Sequence, residues 1–157
     1  MNRIVSVDPG RNKCGLVLVD CARDCVIEGH VVATESMLDT LQCWRQDAPI
    51  ECLVLGNGTA SNSLRHQLPE DLPVRVVDER GTTLQARKRY WQLWPPTGWR
   101  RLMPRGLLLP PSELDAVAAL VILESELGRK ILWPGPAPLR NCLLYTSDAA
   151  DEGLGVD

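Results

Sequence analysis

The sequence holds no long hydrophobic run. Its longest, AVAALVIL from Ala116, is far too short to span a bilayer, so no membrane partner is expected. The opening MNRIVSVD has no apolar signal core, and six cysteines lie at scattered spacings; reduced thiols in a cytoplasmic setting follow as the expectation. Cys21 and Cys25 form a single C-x3-C with no matching second pair, short of the four ligands a structural zinc site needs. No internal repeat and no domain linker is visible. With 157 residues and 45% apolar content, one globular domain with a sizeable core is expected.

A true acidic excess is lacking too, once the C-terminus is set apart. The chain has 17 basic and 20 acidic side chains. Four of the acids (Asp148, Asp151, Glu152 and Asp157) fall in residues 142–157, a stretch with no base and no periodicity. Its CLLYTSDAADE looks like a sequencing-library adapter translated in frame. We therefore expect a domain over residues 1–141, an adapter-derived, non-native tail over 142–157, and a natural tail that is missing. Without residues 142–157, 17 bases face 16 acids.

What is present is a clear order of elements. Ile4–Asp8, Cys14–Asp20 and Val26–Thr34 read as three strands of an antiparallel meander, with CARDC as a polar turn. Ser36–Asp47 places Met37, Leu38, Leu41 and Trp44 at helical spacing, with Ser36 and Asp39 as a capping box. Ile50–Gly56 suits a buried strand. A glycine loop and short helix follow, then a strand over Val74–Val77 and a helix over Thr82–Trp94. Residues 95–111 are a Pro/Gly-rich loop, and Ser112–Leu127 is a helix with Leu114, Val117, Leu120, Val121 and Leu123 on one apolar face. Three meandering strands followed by βαβ units imply an α/β protein with a mixed five-stranded sheet flanked by helices.

Acids punctuate this order. Asp8 closes the first strand, Asp78 and Glu79 close the fifth, and Asp115 lies in the first turn of the last helix. Ligands of such sheets gather at the carboxyl ends of the parallel strands. Several carboxylates brought together there repel one another and raise each other's pKa. Hard divalent cations with a preference for oxygen, Mg²⁺ or Mn²⁺, relieve that repulsion, and a pair of them can promote phosphodiester hydrolysis. Plainer roles stand beside this one. Asp8 before Pro-Gly can be a turn residue, Asp78 and Glu79 solvated charges near a helix start, and Asp115 the end of an S-x-x-D capping box from Ser112.

The stretches IVSVDPGRNKCGLVL, LVLGNGTAS, VRVVDERGTTLQAR and LDAVAALVIL, in that order, resemble the YqgF/RuvX proteins of the ribonuclease H-like superfamily. RYWQLWPPTGWRRLMPRGLLLPP looks like a cyanobacterial-type branch of it. The likeness covers roughly residues 3–127. It implies a ribonuclease H-like fold and a metal-dependent nuclease acting in pre-16S rRNA processing, a part of ribosome biogenesis, or in Holliday junction resolution. Carried over residue by residue, the DPG aspartate is Asp8, the DER glutamate is Glu79 and the acid heading the last helix is Asp115. Many superfamily members place an acid after strand four, where this chain has Asn57 after Gly56. The DER pair then replaces it, with Glu79 favoured over Asp78 for its longer reach.

Residues 85–105 contain no acid. They carry Arg87, Lys88, Arg89, Arg100, Arg101 and Arg105, interleaved with Tyr90, Trp91, Trp94 and Trp99. Basic side chains supply salt-sensitive phosphate affinity and aromatic faces stack unpaired bases; packed tryptophans beneath a solvated basic face are the alternative. Lys13 and Arg80 are candidates to contact a scissile phosphate. Asn57, Gly58 and Thr59 stand in a glycine loop that lacks the Lys-Ser/Thr of a P-loop. Structured RNA or branched DNA is the expected partner, and symmetric junction cleavage would favour a homodimer. Two rivals remain: a non-catalytic nucleic-acid binder on the same scaffold, and a relative of actin-like and sugar kinases handling ATP at an Asp-x-Gly turn. The second needs another domain to close over the nucleotide.

Overall fold

The computed structural model describes residues 2–58, 60–110 and 113–138. The tail expected over 142–157, Thr59 of the glycine loop, Ser112 of the second capping box and the Arg105 side chain lie outside the described residues. Strands β1 (Arg3–Asp8), β2 (Lys13–Asp20), β3 (Cys25–Ala33), β4 (Cys52–Gly56) and β5 (Val74–Val77) form one sheet. Its spatial order is β3-β2-β1-β4-β5. The first three strands are antiparallel, and β4 and β5 run parallel to β1. This is the mixed five-stranded sheet expected from the element order.

The apolar runs are continuous because both faces of the central strands are covered. On one face Val5, Val7, Leu16, Leu18, Leu53 and Leu55 pack against Met37, Leu41 and Trp44 of α1 (Met37–Asp47) and Leu64 of α2 (Ser61–Gln67). On the other, Ile4, Val17, Val19 and Val54 meet Ala116, Ala119, Leu120, Ile122 and Leu123 of α4 (Asp115–Leu127). The Ser6 hydroxyl is buried in this seam and donates to the Ala119 carbonyl at 2.7 Å. Outside α4 lies α3 (Thr82–Leu93), whose Ala86, Tyr90 and Trp91 pack on Val117 and Ala118. Sandwiched in this way, α4 is buried from Ala116 through Glu124. The one-sided apolar face expected from the sequence is therefore too narrow.

Both capping boxes need comment. Ser36 stands at the N-cap of α1 but makes no side-chain cap bond, because a 3₁₀ turn over Thr34–Ser36 already leads into the helix. Likewise α4 begins after Leu114 with no side-chain cap, which leaves the Asp115 carboxyl free for other contacts. Residues 95–111 are not a plain loop. They contain 3₁₀ turns at Gly98–Leu102 and Arg105–Leu107. No described helix is long and apolar enough to cross a membrane.

Candidate active site

Because β1, β4 and β5 are parallel neighbours, their carboxyl ends share one edge. Asp8 ends β1, Asn57 follows β4 and Asp78-Glu79 follows β5. The turn after Asp8 is pinned from β3, since the Thr34 hydroxyl donates to the Gly10 carbonyl at 2.9 Å and the Thr34 N–H to Asn12 O at 3.0 Å. The start of α4 reaches the same edge over β2. Gly15 pairs with Asp8 in the β1–β2 ladder, and a Cβ on Gly15 would collide with the Asp115 carbonyl. Only a bare backbone there lets the first turn of α4 lie so close.

Glu79 is seated by the other glycines. A Cβ on Gly56 would strike Glu79 Oε2, and one on Gly58 would strike Oε1. Between them, Asn57 Oδ1 accepts the Glu79 backbone N–H at 3.2 Å, and the Asn57 N–H donates to Val77 O at 2.9 Å. The Gly56-Asn57-Gly58 loop is thus a cradle for a carboxylate of this chain.

The electrostatics follow from this crowding. Asp8 is pushed up to about 8, first by burial, then by the Glu79 charge, the hydrogen bond it donates to Glu79, and the Asp115 charge. Glu79 is also raised, mainly by burial; the Asp8 hydrogen bond opposes this and the Asp78 charge adds to it. Glu79 Oε2 is buried and meets no fixed donor. Two carboxyls set this close favour a proton shared between them, and a hard cation could take that proton's place. Oxygen-only donors with an orphaned carboxylate atom fit Mg²⁺ or Mn²⁺.

Asp115 is engaged elsewhere. Lys13 Nζ bonds Glu113 Oε2 and stands 3.4 Å from Asp115 Oδ2. Among the described residues, no three His, Cys, Asp or Glu side chains already converge closely enough to hold a metal ion. The structure therefore joins Asp8 to Glu79, brings the Asp115 charge within influence of Asp8, and gives Asp115 a lysine partner.

The remaining expectations divide. Asp78 is exposed, accepts the Arg80 N–H at 3.1 Å and pairs with the Arg80 guanidinium at 3.2 Å. Expected as a metal ligand, it spends its carboxyl on its own turn in this arrangement, while its charge still raises Glu79. Arg80 is 91% exposed and stands beside the site. Arg89, expected as a nucleic-acid contact, turns inward in this arrangement. It is largely buried and grips Glu124 with Nε and Nη2 at 2.8–3.1 Å, with a further bond to Ile131 O at 2.8 Å. Its Nη1 reaches Gln92 Oε1 at 3.4 Å. Lys88 and Arg101 are exposed, and Arg87 and Arg100 are half-buried. Tyr90 and Trp91 are core, and Trp94 is half-buried and donates to Gly135 O at 3.0 Å. Trp99 is 69% exposed, with the Arg100 guanidinium 5.8 Å from its ring centre. The roles of Thr34, Glu113 and the paired glycines were missed from sequence; the G-x-G spacing after a strand was the one available signal.

No protein-family model matches the chain. Among curated proteins it is 27% identical over 147 residues to a "Putative pre-16S rRNA nuclease" of Bacteroides fragilis, covering 84% of this chain and all of that protein. A protein of the same name from Porphyromonas gingivalis is 29% identical over 143 residues, covering 81% of this chain and 96% of its own length. The resemblance drawn from the four motifs to the YqgF/RuvX family is borne out by these relatives. Among solved structures, T. thermophilus RuvC in complex with a Holliday junction substrate is 14% identical with a TM-score of 0.44, covering 83% of this chain and 99% of that one. A ROK family glucokinase from Streptomyces griseus, in complex with glucose and AMPPNP, is 15% identical with a TM-score of 0.37, covering 57% of this chain. This chain spans 37% of the glucokinase's length.

Proposed function

We propose that this chain hydrolyses phosphodiester bonds of structured nucleic acid, with Mg²⁺ or Mn²⁺ held by Asp8 and Glu79 and, at a second position, by Asp8 and Asp115. The single observation that carries this is the confrontation of two half-buried carboxyls at the strand edge, one with a buried oxygen that meets no donor. Buried carboxylates are stable only when paired, protonated or bound to a cation. The curated relatives bear the name of pre-16S rRNA nucleases, which favours a ribosomal RNA precursor; a four-way DNA junction is the other substrate in keeping with the motifs. Both would be cut in the cytoplasm, and the symmetry of a junction would call for a homodimer.

Bound divalent ions would stabilise charge developing on the phosphate and make the attacking water more acidic. Asp8 would give up its proton as it becomes a ligand. Asn57 and the two glycines would keep the Glu79 carboxylate from swinging out of line. Lys13 would release Asp115 toward the site while still offering its own charge to a phosphate. Arg80, exposed at the rim, would contact the substrate strand, with Arg100 and Arg101 adding affinity further along.

A second possibility, non-catalytic nucleic-acid binding on the same scaffold, draws on the pairing of Lys13 with Asp115, which already neutralises one of the three acids. Incubating the protein with Mg²⁺ or Mn²⁺ and a panel of ribosomal precursor, four-way junction and single-stranded substrates separates the two. Metal-dependent cleavage that chelation abolishes is expected. Binding without cleavage at any metal concentration would leave the non-catalytic role standing.

A further inference from the structure

Four residues of α3 recur at helical spacing, Leu84, Arg87, Lys88 and Trp91, and share one ridge. With Gln92 and with Gly106 of the 3₁₀ turn at Arg105–Leu107, they line a cavity of about 350 Å³. We propose that this cavity binds one unpaired nucleotide of the substrate strand, its phosphate against Arg87 and Lys88 and its base accepting from the Trp91 indole. The assignment rests on the nuclease function above and names the substrate feature that function would recognise.

Several observations meet here. Two of the lining residues, Trp91 and Arg87, each carry a buried donor, Nε1 and Nε, with no hydrogen-bond partner. Trp91 is only 5% exposed, so an acceptor meets its N–H only as the cavity wall yields on binding. A buried unpaired donor costs roughly 1–3 kcal/mol, which an arriving acceptor would recover. Indole and guanidinium donate and cannot accept, so the ligand must bring acceptors. Arg87 and Lys88 are cationic and no acid lines the cavity, so the ligand should carry negative charge. The Leu84 side chain and the Trp91 ring add an apolar wall. A flat ring with carbonyl or ring-nitrogen acceptors, joined to a phosphate, meets all of these requirements. The volume lies at the small end of ligand sites, which run from about 300 to 1,000 Å³. It suits a single nucleotide and excludes a duplex, whose base edges are occupied by pairing in any case.

Position agrees with this. Helix α3 begins at Thr82, three residues after Glu79. At a rise of 1.5 Å per residue, Trp91 lies about 14 Å along the axis from Thr82. A strand threaded past the carboxylates would reach the cavity within a few nucleotides. Gly106 completes the wall without a side chain, and a Cβ there would meet nothing within 4 Å. A larger residue at this lining position starts in open space and is expected to narrow the cavity.

The test uses the full chain in metal-free buffer. Fluorescence anisotropy would compare a labelled RNA hairpin carrying one bulged nucleotide with its fully paired counterpart, and the same two forms in DNA. The wild type is expected to prefer the bulged form about tenfold, within the range set by roughly 1–3 kcal/mol per bound base. Gly106→Leu, which is expected to narrow the cavity, and Trp91→Phe, which keeps a ring but loses the N–H, should each bring the preference below about threefold. Thermal midpoints checked alongside should show Gly106→Leu folded as the wild type. Preference shared by RNA and DNA supports recognition through base and phosphate, and preference confined to RNA supports a ribonucleotide ligand. Equal binding of bulged and paired forms, or preference retained in Gly106→Leu, overturns the assignment. So does a nucleoside monophosphate that competes at the bulged strand's own affinity, because the cavity would then serve a free nucleotide. A parallel cleavage assay keeps the two claims apart. Cleavage without bulge preference removes the pocket alone, while bulge preference without cleavage removes the nuclease function and leaves the pocket.

Discussion

At its C-terminal end α4 carries Glu124, buried and fully matched: Arg89 holds both carboxylate oxygens, the Ile131 N–H donates to Oε1 at 2.9 Å, and Lys130 stands 3.6 Å away. At its N-terminal end the same helix brings Asp115 toward Asp8 and Glu79, whose carboxyls face each other with one oxygen undonated. Glu124 is buried, and the acids at the other end are half-buried. One end spends every oxygen on the chain's own donors. The other leaves the charge unsettled, and Asp8 rises to about 8. Burial alone therefore does not mark a site. Burial without a donor does.

The sharpest way to separate the two ends is to remove one member from each. Asp8→Asn should lower cleavage on the order of 10³-fold, equivalent to about 4 kcal/mol in the barrier, while making the metal-free protein at pH 8 no less stable. Arg89→Met should do the reverse. It leaves Glu124 buried without its main partner, so urea unfolding should show a loss of about 3–5 kcal/mol, with cleavage per folded molecule retained. If both variants lose activity and stability alike, the distinction fails.

A finer cut tests the cradle. Gly58→Ala adds one carbon whose three nearest neighbours are atoms of the Glu79 carboxyl, including Cδ at 3.2 Å. Displacing that carboxyl by about 1 Å should reduce kcat by up to about 10²-fold with little change in thermal midpoint.

The pH dependence of stability should also divide the ends. Asp8 has an ordinary value of 3.8 and a folded value of about 8, so between roughly pH 4 and 8 the folded state binds more protons than the unfolded chain. Stability of the metal-free protein must then fall as pH rises through that window. Asp8→Asn should flatten the slope and Mg²⁺ should offset it, whereas Arg89→Met should leave its shape intact. Thermal scans across buffers with and without chelator would read this out. The smallest effect belongs to the rim. Arg101→Gln should weaken binding of all substrates similarly and reduce the salt slope by about one, measured by anisotropy across a salt series.

Much of this contrast was legible in the sequence, and the reason is local. Each strand and helix announced itself by period and by turn residues, so the mixed five-stranded sheet followed, while its spatial order did not. Asp8 and Glu79 were visible because each ends an apolar strand, and Asp115 because four ordered motifs resemble a family. The illegible part depends on which side chains meet across the chain. Nothing local distinguishes Arg89, which turns inward to Glu124, from Lys88, which faces solvent. Nor does local sequence show that Lys13 will settle on Glu113, or that Gly56 and Gly58 are small in order to admit Glu79. The width of the apolar band on α4 was misjudged for the same reason, since it is set by α3 lying over it.

The seating of α4 against Gly15 has a consequence for synthesis. Asp8 leaves the ribosome in the first strand, Glu79 follows after the fifth, and Asp115 arrives only with the helix that also completes one whole face of the core. A nascent chain thus cannot bring the three acids together until α4 docks. Any activity proposed for those acids would switch on only when that face of the core is complete.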